Sequence, residues 1–156
     1  MVWINMCHPP VKNMTGNVDF EGTWELISFR NEGEDGSVNY PFGKNPRGMI
    51  WYDRNGYMGV NIMPEERLKF ESGDMFVATE RELRDAIRYI AYSGKFEVKE
   101  NKVIHKIEVA LFPNWVGRDQ ERFYKIDGNR LTLTTKPMKF EGKQVISRLV
   151  WEHTGQ

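Results

Sequence analysis

A single cysteine, Cys7, is all that this chain of 156 residues contains. No internal disulfide can staple it, and a reducing setting, the cytoplasm, is the expected location. It has no run of about 18 apolar residues, so no helix is expected to span a bilayer. The opening Met1-Val-Trp-Ile-Asn-Met lacks the basic and long apolar regions of a secretory leader. Charge of one sign is missing as well: 22 Lys+Arg stand against 22 Asp+Glu. Nucleic acid and membrane surfaces are therefore not expected partners, because neutralising phosphates takes a clustered basic excess. No H-E-x-x-H, C-x-x-C, G-x-S-x-G or glycine-rich phosphate loop occurs. Cys7-His8 supplies at most two ligands where a catalytic metal needs about three, so neither metal nor cofactor is expected. What the chain does have is rings and thioethers: 9 Phe, 6 Tyr, 5 Trp and 8 Met. Where those side chains gather is the functional question.

Residues 1–18 hold Pro9 and Pro10 and show no apolar period, which predicts a flexible tail ahead of one domain over 19–156. Polar and apolar residues mix at period two over Gly22–Arg30, the pattern of a strand. A polar connection follows over 31–46, with a short extended piece at Val38–Tyr40. Arg47–Tyr52 and Tyr57–Ile62 flank Asn55-Gly56, a pair that accepts positive φ and so predicts a hairpin. Thr79-Glu-Arg-Glu82 has the form of a capping box, and Leu83, Ala86, Ile87 and Ile90 fall on one helical face. A helix is expected over 79–91, after a lid-like loop over 63–78. Strands return at 92–98, 103–111, 119–126, 130–135 and 143–152, joined by short turns such as Asp127-Gly128. Eight neighbouring strands and one helix make an all-β, antiparallel domain, a barrel or a sandwich; one helix cannot cover both faces of a parallel sheet.

Alternation assigns faces. His105, Ile107, Val109 and Leu111 share the more apolar face of 103–111, and inward placement is expected for them. In 119–126, Gln120, Arg122, Tyr124 and Ile126 oppose Glu121, Phe123 and Lys125, so either inner face carries charge. An inward Arg122 or Lys125 implies a partner, a wet cavity or a ligand, since an unpaired buried ion is costly.

Gly22-Thr23-Trp24 in the first strand, with Arg148 in the last, resembles the lipocalin arrangement, in which a G-x-W tryptophan plugs a barrel end beneath an arginine. Cation–π attraction would give such a pair about 0.5–2 kcal/mol. A longer resemblance runs through Gly22-Thr-Trp-Glu-Leu-Ile-Ser28, Tyr40-Pro-Phe-Gly43, Tyr92-Ser-Gly94, Leu111-Phe-Pro-Asn-Trp-Val-Gly117, Arg130-Leu-Thr-Leu-Thr134 and Ser147-Arg-Leu-Val-Trp-Glu152. These segments are similar to the lipocalin-like domain family of bacteria and fungi. The resemblance implies an eight-stranded up-and-down barrel with an inserted helix, an apolar interior, and closure by Trp24 and Arg148. It also implies a link to secondary metabolism, since some members lie in such gene clusters and distantly similar barrels cyclise polyenes.

The expected function is binding of a small, mostly apolar molecule inside the barrel. Candidate ligand contacts are Trp51, Met58, Tyr92, His105, Ile107, Trp115, Arg122 and Tyr124. Of these, His105, Tyr92 and Arg122 are the candidate catalytic groups should the same cavity cyclise, isomerise or hydrate a polyketide- or terpenoid-like substrate. His153 is expected to face solvent beyond the last strand. A barrel filled by its own side chains, with a structural role, is the third reading, and a homodimer is left open.

Overall fold

A computed structural model describes residues 19–155. The expected tail over 1–18, including Cys7-His8, lies outside the described residues. Ten strands and one α-helix follow in the order β1 (Gly22–Gly33), β2 (Val38–Asn39), β3 (Arg47–Tyr52), β4 (Tyr57–Met63), α1 (Glu80–Ala86), β5 (Ile90–Lys99), β6 (Lys102–Ala110), β7 (Asp119–Asp127), β8 (Arg130–Thr134), β9 (Met138–Phe140) and β10 (Lys143–His153). Hydrogen bonding runs β2-β1-β3-β4-β5-β6-β7-β8-β10-β9, and β1 also pairs with β10. Eight strands thus close an antiparallel barrel, with the short β2 and β9 attached at its margins. Among the described residues, closure leaves no long sheet edge open.

The turns follow from their sequences. Asp53 Oδ1 accepts from the amides of Asn55 (2.8 Å) and Tyr57 (2.9 Å), and Gly56 takes φ +88° between β3 and β4. The helix is shorter than its periodicity predicts. The capping box forms as expected around Thr79 and Glu82, yet Leu83 and Ile87 stay exposed and Glu82 is the buried helix residue. Its carboxylate takes hydrogen bonds from the amides of Thr79 (2.7 Å) and Glu71 (2.9 Å), which tie the preceding loop to the helix. Ile90 and Ala91, expected in the helix, instead pair with Ile62 and Asn61 and begin β5. Sheet pairing overrides the helical period there.

A bulge resets β6. Ser93 pairs with Val109 while Gly94 pairs with Ile107, so Glu108 is extra. Alternation shifts at that point and Val109 is 66% exposed, against the expected inward placement. Gly94 is required by the close approach, because a Cβ there would sit 2.0 Å from Lys106 O.

One barrel end is plugged by rings. Trp24 is buried and donates its indole N–H to Phe20 O at 3.0 Å. Phe20 meets Tyr52 and Tyr124 edge-on at 5.1 and 4.7 Å. Arg148 takes no part, contrary to expectation. Trp24 pairs in register with His153, and Arg148 lies an odd number of residues away, on the outer face opposite Arg30. There its guanidinium binds Glu32, with Nε 3.0 Å from Oε1. The residue over Trp24 is His153, expected in solvent but set edge-on to the indole with centroids 4.7 Å apart. Gly22 makes this stack possible: it holds φ +119°, and a Cβ would lie 2.5 Å from His153 Nε2.

Candidate ligand cavity

Above the plug the barrel is hollow. A cavity of about 660 Å³ opens toward the end formed by Ile87–Ile90, Phe112–Trp115 and Met138–Glu141. That volume lies within the ordinary range of small-molecule sites. Its wall is built from inward positions of many strands, among them Phe29, Ile50, Val60, Leu133, Leu149 and Trp151. Along β4 and β10 alternate residues reach it, Val60 and Ile62 on the one and Ser147, Leu149 and Trp151 on the other, as strand geometry requires.

A short polar chain crosses this apolar wall. His105 on β6 is 1% exposed. Its Nε2 stands 2.8 Å from the Tyr52 hydroxyl and its Nδ1 stands 2.9 Å from the Tyr92 hydroxyl. Both ring nitrogens are engaged by phenols, one from β3 and one from β5. Burial, and then the nearby Arg122 charge, hold the imidazole well below its ordinary pKa, so it is neutral at physiological pH. Burial pushes Tyr52 well above the usual phenol value, and the neighbouring Tyr92 adds to the rise. Tyr92 is pushed up by burial too, with Arg122 opposing the rise. All three groups are uncharged in the folded protein.

Arg122 points inward from β7, beside Tyr92, and borders the cavity. Its guanidinium donates to Glu121 O at 2.9 Å and Gln120 Oε1 at 3.1 Å. No carboxylate lies within ion-pair distance of it among the described residues. Trp115 meets Tyr92 edge-on at 5.7 Å and Phe112 at 5.4 Å, near the open end.

Four of the expected contacts are therefore brought together at the cavity: Tyr92, His105, Trp115 and Arg122. The other four are not. Trp51 lies on the outer surface across Gly59, where a Cβ would meet its ring at 2.0 Å. Its neighbours Ile50 and Tyr52 take the inward positions of β3, so alternation turns Trp51 out. Met58 is sealed in the core. Tyr124 packs into the plug and donates its hydroxyl to Glu100 O at 2.8 Å. Ile107 is buried where the 112–118 loop folds back: its amide donates to Arg118 O and its carbonyl accepts from Gly117.

The domain has a counterpart among known sequences. A family model described as lipocalin-like domain matches residues 21–154. The chain belongs to the lipocalin-like domain family. A relative from Aspergillus oryzae (strain ATCC 42149 / RIB 40), named 4'-hydroxy-3'-methoxypropiophenone carrier protein ppsC, is 35% identical over 104 residues, 60% of this chain and 94% of that protein. Two solved structures are more distant. A lipocalin-like protein from Bacteroides uniformis ATCC 8492 has TM-score 0.45 and 10% identity, over 86% of this chain and 98% of that one. An uncharacterized protein from Bacteroides eggerthii DSM 20697 has TM-score 0.42 and 12% identity over the same shares, 86% and 98%.

In this lipocalin-like domain, sequence reasoning missed Trp151, which lines the cavity, and Tyr52, which reaches it only through His105. Tyr52 was legible in principle, since a hairpin that turns Trp51 out turns Tyr52 in. Trp151 shares the inward period of β10 with Ser147 and Leu149. The inward side chains of the short β9, Met138 and Phe140, carry no strand signal strong enough to read.

Proposed function

We propose that this lipocalin-like protein carries a small, mostly apolar molecule inside its barrel, oriented by Tyr92, His105 and Arg122 at the wall and gripped by Trp115 near the opening. The observation that carries the reading is the cavity itself: about 660 Å³ of space bounded by apolar side chains and open at one end. A barrel filled by its own residues would have no such space. The neutral His105, with both nitrogens occupied, is suited to fixing the tyrosines rather than to abstracting protons. The relative named as a carrier of a substituted propiophenone supports the same reading.

The test is titration with N-phenyl-1-naphthylamine, whose fluorescence rises in apolar surroundings. Saturable, one-to-one binding with roughly micromolar Kd, about −8 kcal/mol, and displacement by propiophenone are expected. Unsaturable binding, or a probe that propiophenone cannot displace, contradicts the reading.

A further inference from the structure

We propose that the cavity selects ligands bearing an acceptor oxygen, such as a ketone carbonyl, and that Tyr92 meets this oxygen with its hydroxyl hydrogen at the end of a one-way chain from Tyr52 through His105. The proposal rests on the ligand-carrying reading above and adds the chemistry of the ligand's polar end.

A neutral imidazole has one N–H and one bare nitrogen, so one phenol must donate to His105 and the other must accept from it. Tyr52 decides which. It is 1% exposed, its ring packs edge-on to Phe20 and Phe96, and His105 is its one hydrogen-bond partner among the described residues. If Nε2 carried the hydrogen, the Tyr52 O–H would be buried with nothing to accept it, a state native structures avoid. The order that satisfies both groups has Tyr52 donating to Nε2 and Nδ1–H donating to the Tyr92 oxygen. The Tyr92 hydrogen is then free of the imidazole. Unlike Tyr52, Tyr92 borders the cavity.

One other group of the lining points to the same ligand chemistry. Arg122 is a donor only, and lacks an acidic partner among the described residues. The single carboxylate of the lining, Glu141, is exposed. The wall therefore offers donors at Tyr92 and Arg122, which a hydrocarbon leaves without an acceptor and a carbonyl oxygen can meet.

Propiophenone and propylbenzene differ by one carbonyl oxygen, and their affinities for the wild type and Tyr92→Phe proteins test the proposal. The variant is expected to bind propiophenone about tenfold more weakly and to hold propylbenzene within about twofold. Equal losses for both compounds, or no loss for either, overturn the acceptor-oxygen claim while leaving the carrier reading standing. Failure of the wild type to bind either compound contradicts both. Nitrogen-15 shifts of His105 in the unaltered protein supply a second readout, independent of ligand and of how the variant folds. A hydrogen on Nδ1 supports the chain's direction; a hydrogen on Nε2 overturns it.

Discussion

The Tyr52 hydroxyl lies 2.8 Å from His105 Nε2, and both residues are 1% exposed. This pair joins the closed end of the barrel to the cavity above it, and the burial of its histidine is expected to make stability depend on pH. The unfolded histidine takes up a proton near its ordinary value of 6.5, whereas the folded one does so only well below. Between those values the unfolded chain binds more protons, so folding stability rises with pH and is fully present above about 6.5. As pH falls from about 6.5 toward 5, chemical denaturation should report a loss of up to about 1.4 kcal/mol per pH unit. The carboxylates held low by partners, Glu32, Glu97 and Glu121 among them, start from 4.5 and contribute their losses at lower pH. A His105→Gln variant should flatten the profile between about pH 6.5 and 5. An unchanged slope in that variant would mean another group sets it.

Tyr52→Phe keeps the ring contacts with Phe20 and Phe96 and removes one hydroxyl. The imidazole is then left with a buried nitrogen lacking its partner, which should cost about 1–3 kcal/mol in urea denaturation. A neutral result would show that water or rotation of His105 satisfies the site instead.

Trp24 sits in the plug and Arg148 on the outer face with Glu32, so the two should contribute differently to stability. Trp24→Ala removes a buried indole and should cost about 3–5 kcal/mol. Arg148→Ala breaks a partly exposed ion pair with Glu32 and should cost under about 1 kcal/mol. Equal, large losses in both would restore the arginine-over-tryptophan arrangement.

Gly22→Ala forces a side chain into positive φ and against His153, and a loss of about 1–3 kcal/mol is expected from the backbone strain alone. His153→Ala in the same chain should return part of it by clearing the clash. A double variant no better than Gly22→Ala would place the whole cost in the backbone.

Trp115 stands near the opening rather than in the plug. Trp115→Ala should weaken binding of N-phenyl-1-naphthylamine at least tenfold, a change of about 1.4 kcal/mol. Its effect on thermal stability should be smaller than that of Trp24→Ala. The reverse ranking would make the 112–117 loop a structural cap.

Much of the architecture could be read from pattern, because strand alternation and turn chemistry are local. Asn55-Gly56, Asp127-Gly128 and the Thr79 capping box each formed as their side chains require. That β7 buries a charge was legible for the same reason, since either of its faces carries one, but not whether the inward cation is Arg122 or Lys125. Long-range register was not legible. Whether Arg148 or His153 reaches Trp24 depends on the β1–β10 pairing, across most of the chain's length, and a shift of one residue exchanges the faces. The Glu108 bulge turned Val109 outward by the same kind of shift, while the packing of α1 was set by Glu82 hydrogen bonds rather than by its apolar spacing. Depth within the barrel was equally hidden, since alternation tells inward from outward but not plug from cavity. Met58 and Tyr124 were misplaced on that account.

The most direct measurement is of intermolecular nuclear Overhauser effects between propiophenone and the isotopically labelled protein at saturating ligand. The account predicts contacts to interior side chains of the cavity, Phe29, Leu133 and Leu149, together with Trp115 near its mouth. Contacts confined to exposed residues such as Met75 and Phe76, or to the outer-face Trp51, would contradict it.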